Sequence, residues 1–221
     1  MTRVSVVIPA YNEEKRLAAT IKAARSLPFE HEVICVNDGS TDFTAEIAEE
    51  FADVSIHLET NQGKGQALQT GWRAAKGMYI LCLDADLEHS AQEAGGLLEP
   101  LMKKRADLTI SKIRHNGNGG KGFVKKRVQK LIHQRTGVWL EAPLSGQRAF
   151  QRQWLRLLLS RSYTGYGIET MMCLHMIHGG ARLEEIESEM THREMGRSLS
   201  GMKHRYNQWR QIKKQLQGDC L

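Results

Sequence analysis

Two carboxylates two residues apart, Asp84 and Asp86, close the apolar run Met78-Tyr79-Ile80-Leu81-Cys82-Leu83, which follows Gly77. Six apolar residues in a row predict a strand buried on both faces, with the acids at its carboxyl end. In an open α/β sheet that edge opens into a crevice where ligands sit. Alternate residues of extended chain point to one side, so Asp84 and Asp86 with Ala85 between them can share a hard cation directly or through water. Mg²⁺ or Mn²⁺ carrying a diphosphate fits this pair, because such ions take few protein carboxylates and complete their shell with water and phosphate oxygens. The competing reading is a turn whose Asp caps a helix near Ser90.

The elements that position these acids recur in order. Val4–Pro9 is a first strand, and Pro9, Ala10, Tyr11, Asn12, Glu13 and Glu14 form the turn into a helix running to Leu27. Glu32–Asn37 is a second strand, ended by Asp38-Gly39-Ser40-Thr41-Asp42, then a helix to Phe51 and a short strand at Val54–Leu58. Three repeats of strand, polar turn and helix before Asp84 predict a doubly wound, mostly parallel sheet with helices on both faces. Each turn carries groups suited to a nucleotide. Tyr11 and Asn12 can line a base pocket, with Glu13 and Glu14 in the first helical turn, or the acids simply favour the helix dipole. Asp38 can accept from a base N–H or a ribose hydroxyl, or close an Asx-turn. Gly63-Lys64-Gly65 at a helix start lets backbone N–H groups and an ammonium approach phosphate. Its spacing fits neither the Walker A loop nor the dinucleotide fingerprint. Trp72 and Ala75 belong to that helix's packing face.

The second half is more weakly marked. A helix is expected from Gln92 to Lys104 and a strand at Asp107–Ser111, followed by the glycine-dense stretch Arg114–Gly122 as a substrate-ordered loop. The next helix sets Phe123, Val124, Val128, Leu131 and Ile132 among Lys125, Lys126, Arg127 and Lys130, an amphipathic basic pattern that packs on the domain or lies against an anionic membrane. Pro143-Leu144-Ser145-Gly146-Gln147-Arg148-Ala149-Phe150 reads as a turn entering a strand. Glu169, near a helix start, is a candidate general base or acceptor ligand, with a dipole-favoured surface acid as the alternative. A strand from Ala181 to Met190 ends at Thr191-His192-Arg193, where His192 is a candidate third metal ligand. A basic helix is expected over 200–217.

The bulk properties limit the function classes. The 221 residues carry a net charge of +6 and no apolar run near the ~20 residues of a membrane span. The amino terminus enters a strand without a signal-like apolar region, which predicts a cytoplasmic protein, peripheral at the inner membrane face if its basic residues meet lipid. Cys35, Cys82, Cys173 and Cys220 are scattered without metal-ligand spacing. Between Lys112 and Arg156 the only acid is Glu141, yet aromatic residues there fall at packing intervals. That argues against nucleic acid and for small phosphorylated ligands or a membrane surface.

Together, Pro9-Ala10-Tyr11-Asn12-Glu13, Asn37-Asp38-Gly39-Ser40-Thr41-Asp42, Gly63-Lys64-Gly65 and Asp84-Ala85-Asp86 strongly resemble the family-2 glycosyltransferases of the GT-A fold. The resemblance implies a single GT-A domain over residues 1–221, with a nucleotide-sugar-binding half at 1–111 and an acceptor-binding half at 112–221. It implies a UDP- or GDP-sugar donor, with Asp38 near the base and Asp84 and Asp86 at the ribose and metal-diphosphate. Polyprenyl-phosphate sugar transferases and glucosyl-3-phosphoglycerate synthases look most similar, the latter sharing Pro143-Leu144-Ser145-Gly146, Tyr166-Gly167-Ile168-Glu169 and His192-Arg193. The expected activity is hexose transfer to a phosphorylated or hydroxyl acceptor, with Lys64 or Arg148 neutralising the leaving diphosphate and Glu169 taking a proton from a hydroxyl. A homodimer is compatible with this reading. The alternative is a non-catalytic nucleotide-sugar-binding or membrane-associated scaffold.

Overall fold

A computed structural model describes residues 3–113, 122–163 and 167–191. Its seven strands, β1 (Val4–Ala10), β2 (His31–Asn37), β3 (Val54–His57), β4 (Tyr79–Cys82), β5 (Leu108–Ile113), β6 (Arg148–Gln151) and β7 (Leu183–Ser188), form one sheet in the order β3-β2-β1-β4-β6-β5-β7. The first four strands are mutually parallel, with Val7 opposite both Ile34 and Cys82. β6 makes the sheet mixed, as the GT-A resemblance implies: it lies antiparallel between β4 and β5, pairing Leu81 with Ala149 and Ile110 with Arg148. β7 then adds parallel to β5. The sheet is therefore mixed, mostly parallel, and runs through both halves of the chain.

Alternation along the central strands fills two cores. Val4, Val6 and Ile8 of β1, with Val33, Cys35 and Leu81, pack under α1 (Leu17–Arg25) and α2 (Thr44–Phe51). Val7, Ile34, Val36, Ile80 and Cys82 face the opposite layer, α3 (Lys64–Ala74) among them. Strands buried on both faces need apolar residues in both registers, which is why they read as continuous runs. Trp72 of α3, 1 % exposed, donates its indole N–H to Cys82 Sγ at 3.3 Å and meets Phe150 and Tyr163 edge-on, at centroid distances of 5.6 and 6.3 Å. Burial pushes the Cys35 thiol up to about 12, so it behaves as an inert core residue.

Three boundaries move. Helix α1 begins at Leu17, so Glu13 and Glu14 sit in the preceding turn, outside the helix's first turn. The expected helix over 92–104 is a 3-10 stretch, Glu88–Leu97, running into the single turn of α4 (Glu99–Met102); Gly95-Gly96 lower its helix propensity, and Pro100 falls in the first turn of α4, where no amide hydrogen is needed. The last strand is confined to Leu183–Ser188. The remaining helices are α5 (Gly122–Thr136), α6 (Leu155–Leu159) and α7 (Ile168–His178). Among the described residues no helix is long and apolar enough to cross a membrane. The glycine-dense stretch, Tyr166, His192 and the expected carboxy-terminal helix lie outside the described residues, apart from Gly122, the first residue of α5.

Candidate active site

The strand order reverses between β1 and β4, the topological position where open α/β sheets bind ligands. β1 pairs with β4 only as far as Val7–Cys82, so Ile8, Pro9 and Ala10 run on beside β2 alone. Proline has no amide hydrogen to give a ladder, and at Pro9 β4 has already parted from β1. Asp84 and Asp86 follow directly at the carboxyl end of β4.

Lys64 opens α3 and brings the two halves of the chain together. Its ammonium lies 2.6 Å from Asp84 Oδ1 and 2.7 Å from Glu169 Oε1, Glu169 being in the first turn of α7. The Glu169 side chain is 8 % exposed, those of Lys64 and Asp84 23 % and 27 %. Burial disfavours the ammonium, but Asp84 and then Glu169 outweigh it and hold the Lys64 pKa above the ordinary lysine range. The two carboxylates thus hold Lys64 in its charged form at neutral pH.

The loop that delivers Lys64 is tied down by Asp38. The Asp38 carboxylate accepts from the backbone N–H of Gln62 at 2.7 Å and of Gly63 at 2.9 Å, while the Asp38 N–H donates to Ala10. Gly63 stands at φ 90°, where a side chain would strain the turn. In this structure Asp38 is buried and its oxygens are engaged by backbone, a role the sequence did not suggest.

Asp84 has a second anchor. Gln147 Nε2 donates to Asp84 Oδ2 at 2.7 Å, and Ser145 Oγ donates to Gln147 Oε1 at 3.1 Å, which fixes the amide's orientation. A Cβ on Gly146 would land on the Asp84 carboxylate, so this turn approaches the acid only as glycine. Gln147 was missed in the sequence because nothing local pairs it with Asp84; the lone signal was its place after Ser145-Gly146.

Arg148 is held inside the fold. It is 2 % exposed, and its guanidinium donates to the carbonyls of Ser145 and Glu169, the latter at 3.0 Å, with Cys173 Sγ at 3.6 Å. In this structure the cation braces the turn after Ser145 and the start of the Glu169 helix through their backbone carbonyls.

On the other flank, Asn12 is at φ 54° and accepts the Thr41 N–H at 2.9 Å, while Ser40 Oγ accepts the Asn12 N–H at 3.0 Å. Thr44 Oγ1 accepts the Glu13 N–H at 2.8 Å. The β1 and β2 turns are therefore laced into one rim, from which Tyr11 projects, nearly half exposed. Asn12, Glu13, Glu14, Lys15, Arg16 and Asp42 line a concavity of about 260 Å³ there.

The residues at β4 suit a hard divalent cation. Asp84 already holds a positive group, the Lys64 ammonium, and its donors are carboxylate oxygens. Among the described residues no three His, Cys, Asp or Glu side chains gather at one point, so a cation here would draw at most two protein carboxylates and would need oxygens from water and phosphate.

The sequence profile described as glycosyl transferase family 2 matches residues 5–166. The chain belongs to this family. An undecaprenyl-phosphate 4-deoxy-4-formamido-L-arabinose transferase from Aeromonas hydrophila subsp. hydrophila is 28 % identical over 216 residues, covering 92 % of this chain and 64 % of that protein. The transferase of the same description from Pseudomonas fluorescens SBW25 is 35 % identical over 167 residues, 71 % of this chain and 49 % of that one. The chain thus spans between about half and two thirds of the length of these curated relatives. Among solved structures, glucosyl-3-phosphoglycerate synthase from Mycobacterium tuberculosis bound to phosphoglyceric acid superposes with a TM-score of 0.79 at 25 % identity, covering 99 % of this chain and 80 % of the synthase. The same synthase with Mg²⁺ and uridine diphosphate gives a TM-score of 0.80 at 24 % identity. The fold shared with the synthase extends over 99 % of this chain, past the end of the family-2 match at residue 166.

Proposed function

We propose that this family-2 protein is a metal-dependent glycosyltransferase that moves a hexose from a UDP- or GDP-sugar to a phosphorylated acceptor, a polyprenyl phosphate or a small metabolite such as 3-phosphoglycerate. The observation that carries this is the meeting of Asp84, Lys64 and Glu169 at the strand-order reversal, with Asp86 two residues further along the chain from Asp84. The matched transferases act on undecaprenyl phosphate by name, and the matched synthase has been captured with Mn²⁺, uridine diphosphate and its phosphorylated product.

Asp86 and Asp84 would hold Mg²⁺ or Mn²⁺, which when bound supplies positive charge to the diphosphate. The chain's own residues do the rest. Lys64, locked in its charged form, adds a preorganised positive charge beside the same position and costs no reorganisation when the leaving group develops charge. Gln147 and Ser145 hold Asp84 in one orientation, and Asp38 holds the loop from which Lys64 extends. Tyr11 and the rim of the β1 and β2 turns face the nucleoside. Glu169, on the acceptor-side helix, takes the proton of a hydroxyl acceptor; an anionic phosphate acceptor needs no base. We place the protein's work at an anionic membrane surface, a reading developed below.

The test is release of nucleoside diphosphate across a panel of UDP- and GDP-sugars with Mn²⁺ or Mg²⁺, comparing 3-phosphoglycerate, polyprenyl phosphate and no acceptor. Acceptor-dependent release is expected, and Asp86→Ala is expected to lower it at least ~100-fold, the scale of a lost transition-state charge contact. Donor binding without release for any acceptor identifies the non-catalytic scaffold instead. Wild-type turnover in Asp86→Ala removes Asp86 from the site.

A further inference from the structure

We propose that the exposed side of α5, together with Trp139, docks the protein on an anionic lipid bilayer. The buried side of this helix is Val124, Val128 and Ile132, packed in the same core as α7. At 100° per residue, Lys126, Lys130 and His133 fall on the opposite side, and all three are exposed. The helix ends at Thr136, and the chain turns back through Gly137, whose N–H bonds the His133 carbonyl at 2.8 Å. Gln129, buried inside the turn, donates to the Leu140 carbonyl at 2.9 Å and fixes the returning strand of chain. That return sets the Trp139 ring 5.8 Å from His133, edge to face, with Trp139 56 % exposed.

The charge on this side has one sign. No residue of α5 is acidic, and the nearest acid in sequence, Glu141, is paired with Lys112 at 3.1 Å. A row of lysines on a helix lying flat, ended by an exposed indole, matches a headgroup layer. The ammoniums meet lipid phosphates, while the indole, apolar with one polar edge, settles at the interface. Single-stranded nucleic acid would call for a groove with several stacking rings, and this side offers one. The docking side belongs to the layer that carries α7 and Glu169, so it would bring the acceptor side of the cleft toward the bilayer. This surface is made by α5 and Trp139, and its docking is independent of the transfer reaction.

The experiment is co-sedimentation of the full chain with vesicles of phosphatidylcholine, with and without one third phosphatidylglycerol. Retention is expected on the anionic vesicles alone and should weaken as salt rises from about 0.1 to 0.5 M, where screening shortens sharply. Neutralising both lysines as Lys126→Gln/Lys130→Gln should lower the partition constant roughly 30-fold, from about fivefold for each basic residue near such a surface. Tryptophan emission should shift to the blue on vesicle addition, and Trp139→Phe should lose that shift. Both changes are on exposed side chains, and circular dichroism confirms their folding. Equal retention on neutral vesicles, retention of the double variant at the wild-type level, a blue shift that survives Trp139→Phe, or binding to RNA but not to vesicles would each overturn the proposal.

Discussion

Replacing Lys64 with methionine removes an ammonium shared by Asp84 and Glu169. Both carboxylates lose an ammonium within 2.7 Å, and Glu169 is nearly buried. Breaking a buried ion pair by deleting one partner costs ~3–5 kcal/mol, because the survivor keeps its desolvation without its counter-charge. Asp84 retains the Gln147 amide and is a quarter exposed, so the low end, about 3 kcal/mol, is expected. At roughly 2–4 °C per kcal/mol for a domain of this size, Tm should fall by about 6–12 °C. The pH dependence has a definite sign. Because the folded pKa of Lys64 lies above its unfolded value, its stabilisation is fully present below the unfolded pKa and is lost only as pH rises through the folded one. The gap between wild type and Lys64→Met should therefore be constant from about pH 7 to 9, below the ordinary lysine pKa of ~10.4. Urea unfolding followed by far-UV circular dichroism, in EDTA at three pH values, measures it. Adding Asp84→Asn should recover at least ~1 kcal/mol, since one of the two stranded charges is gone. A Lys64→Met variant within ~0.5 kcal/mol of wild type, or a double variant in which the losses simply add, would refute the linkage.

Two other changes probe what supports the site. Gln147→Leu keeps volume but strips Asp84 of an amide donor, and should cost about 1.5–3 kcal/mol, the range for a hydrogen bond to a charged group. It should also weaken Mn²⁺ binding in the presence of nucleoside diphosphate, read by calorimetry; unchanged stability and unchanged Mn²⁺ affinity would remove Gln147 from its positioning role. Away from the site, the Arg182 side chain hydrogen-bonds Asp107 and, against partial burial, holds that carboxyl below its usual range. A depressed carboxylate stabilises the fold above its unfolded pKa, and the contribution is lost as pH falls through the folded value. Asp107→Asn should thus lower Tm by a few degrees at pH 7, with the gap to wild type starting to close below about pH 4 and vanishing as pH falls through the folded value. A gap that stays constant down to pH 3 contradicts the assignment.

What the sequence made legible was what a short stretch decides for itself. Val4–Ala10, His31–Asn37 and Tyr79–Cys82 are strands buried on both faces, and that condition is written in their own composition. The placing of Asp84 and Asp86 at a carboxyl edge follows from the same local pattern. β6 was legible as a strand, but its antiparallel insertion between β4 and β5 was not, because partner choice depends on distant residues. The same division explains the polar residues. Asp38, Lys64, Arg148 and Glu169 all read as chemical groups near a ligand, yet whether each works on a ligand depends on which backbone groups come close in the fold. A buried charge must be satisfied. Arg148, placed between the carbonyls of Ser145 and Glu169, donates to both and braces the turn; Asp38, placed beside two bare N–H groups, ties down the loop. Among the described residues Lys64 pairs with Asp84 and Glu169, charge with charge, so these are charges that local backbone did not neutralise. Charged side chains that backbone leaves to one another are the ones an arriving diphosphate can re-pair, and that selection is made by long-range contacts which no window of sequence contains.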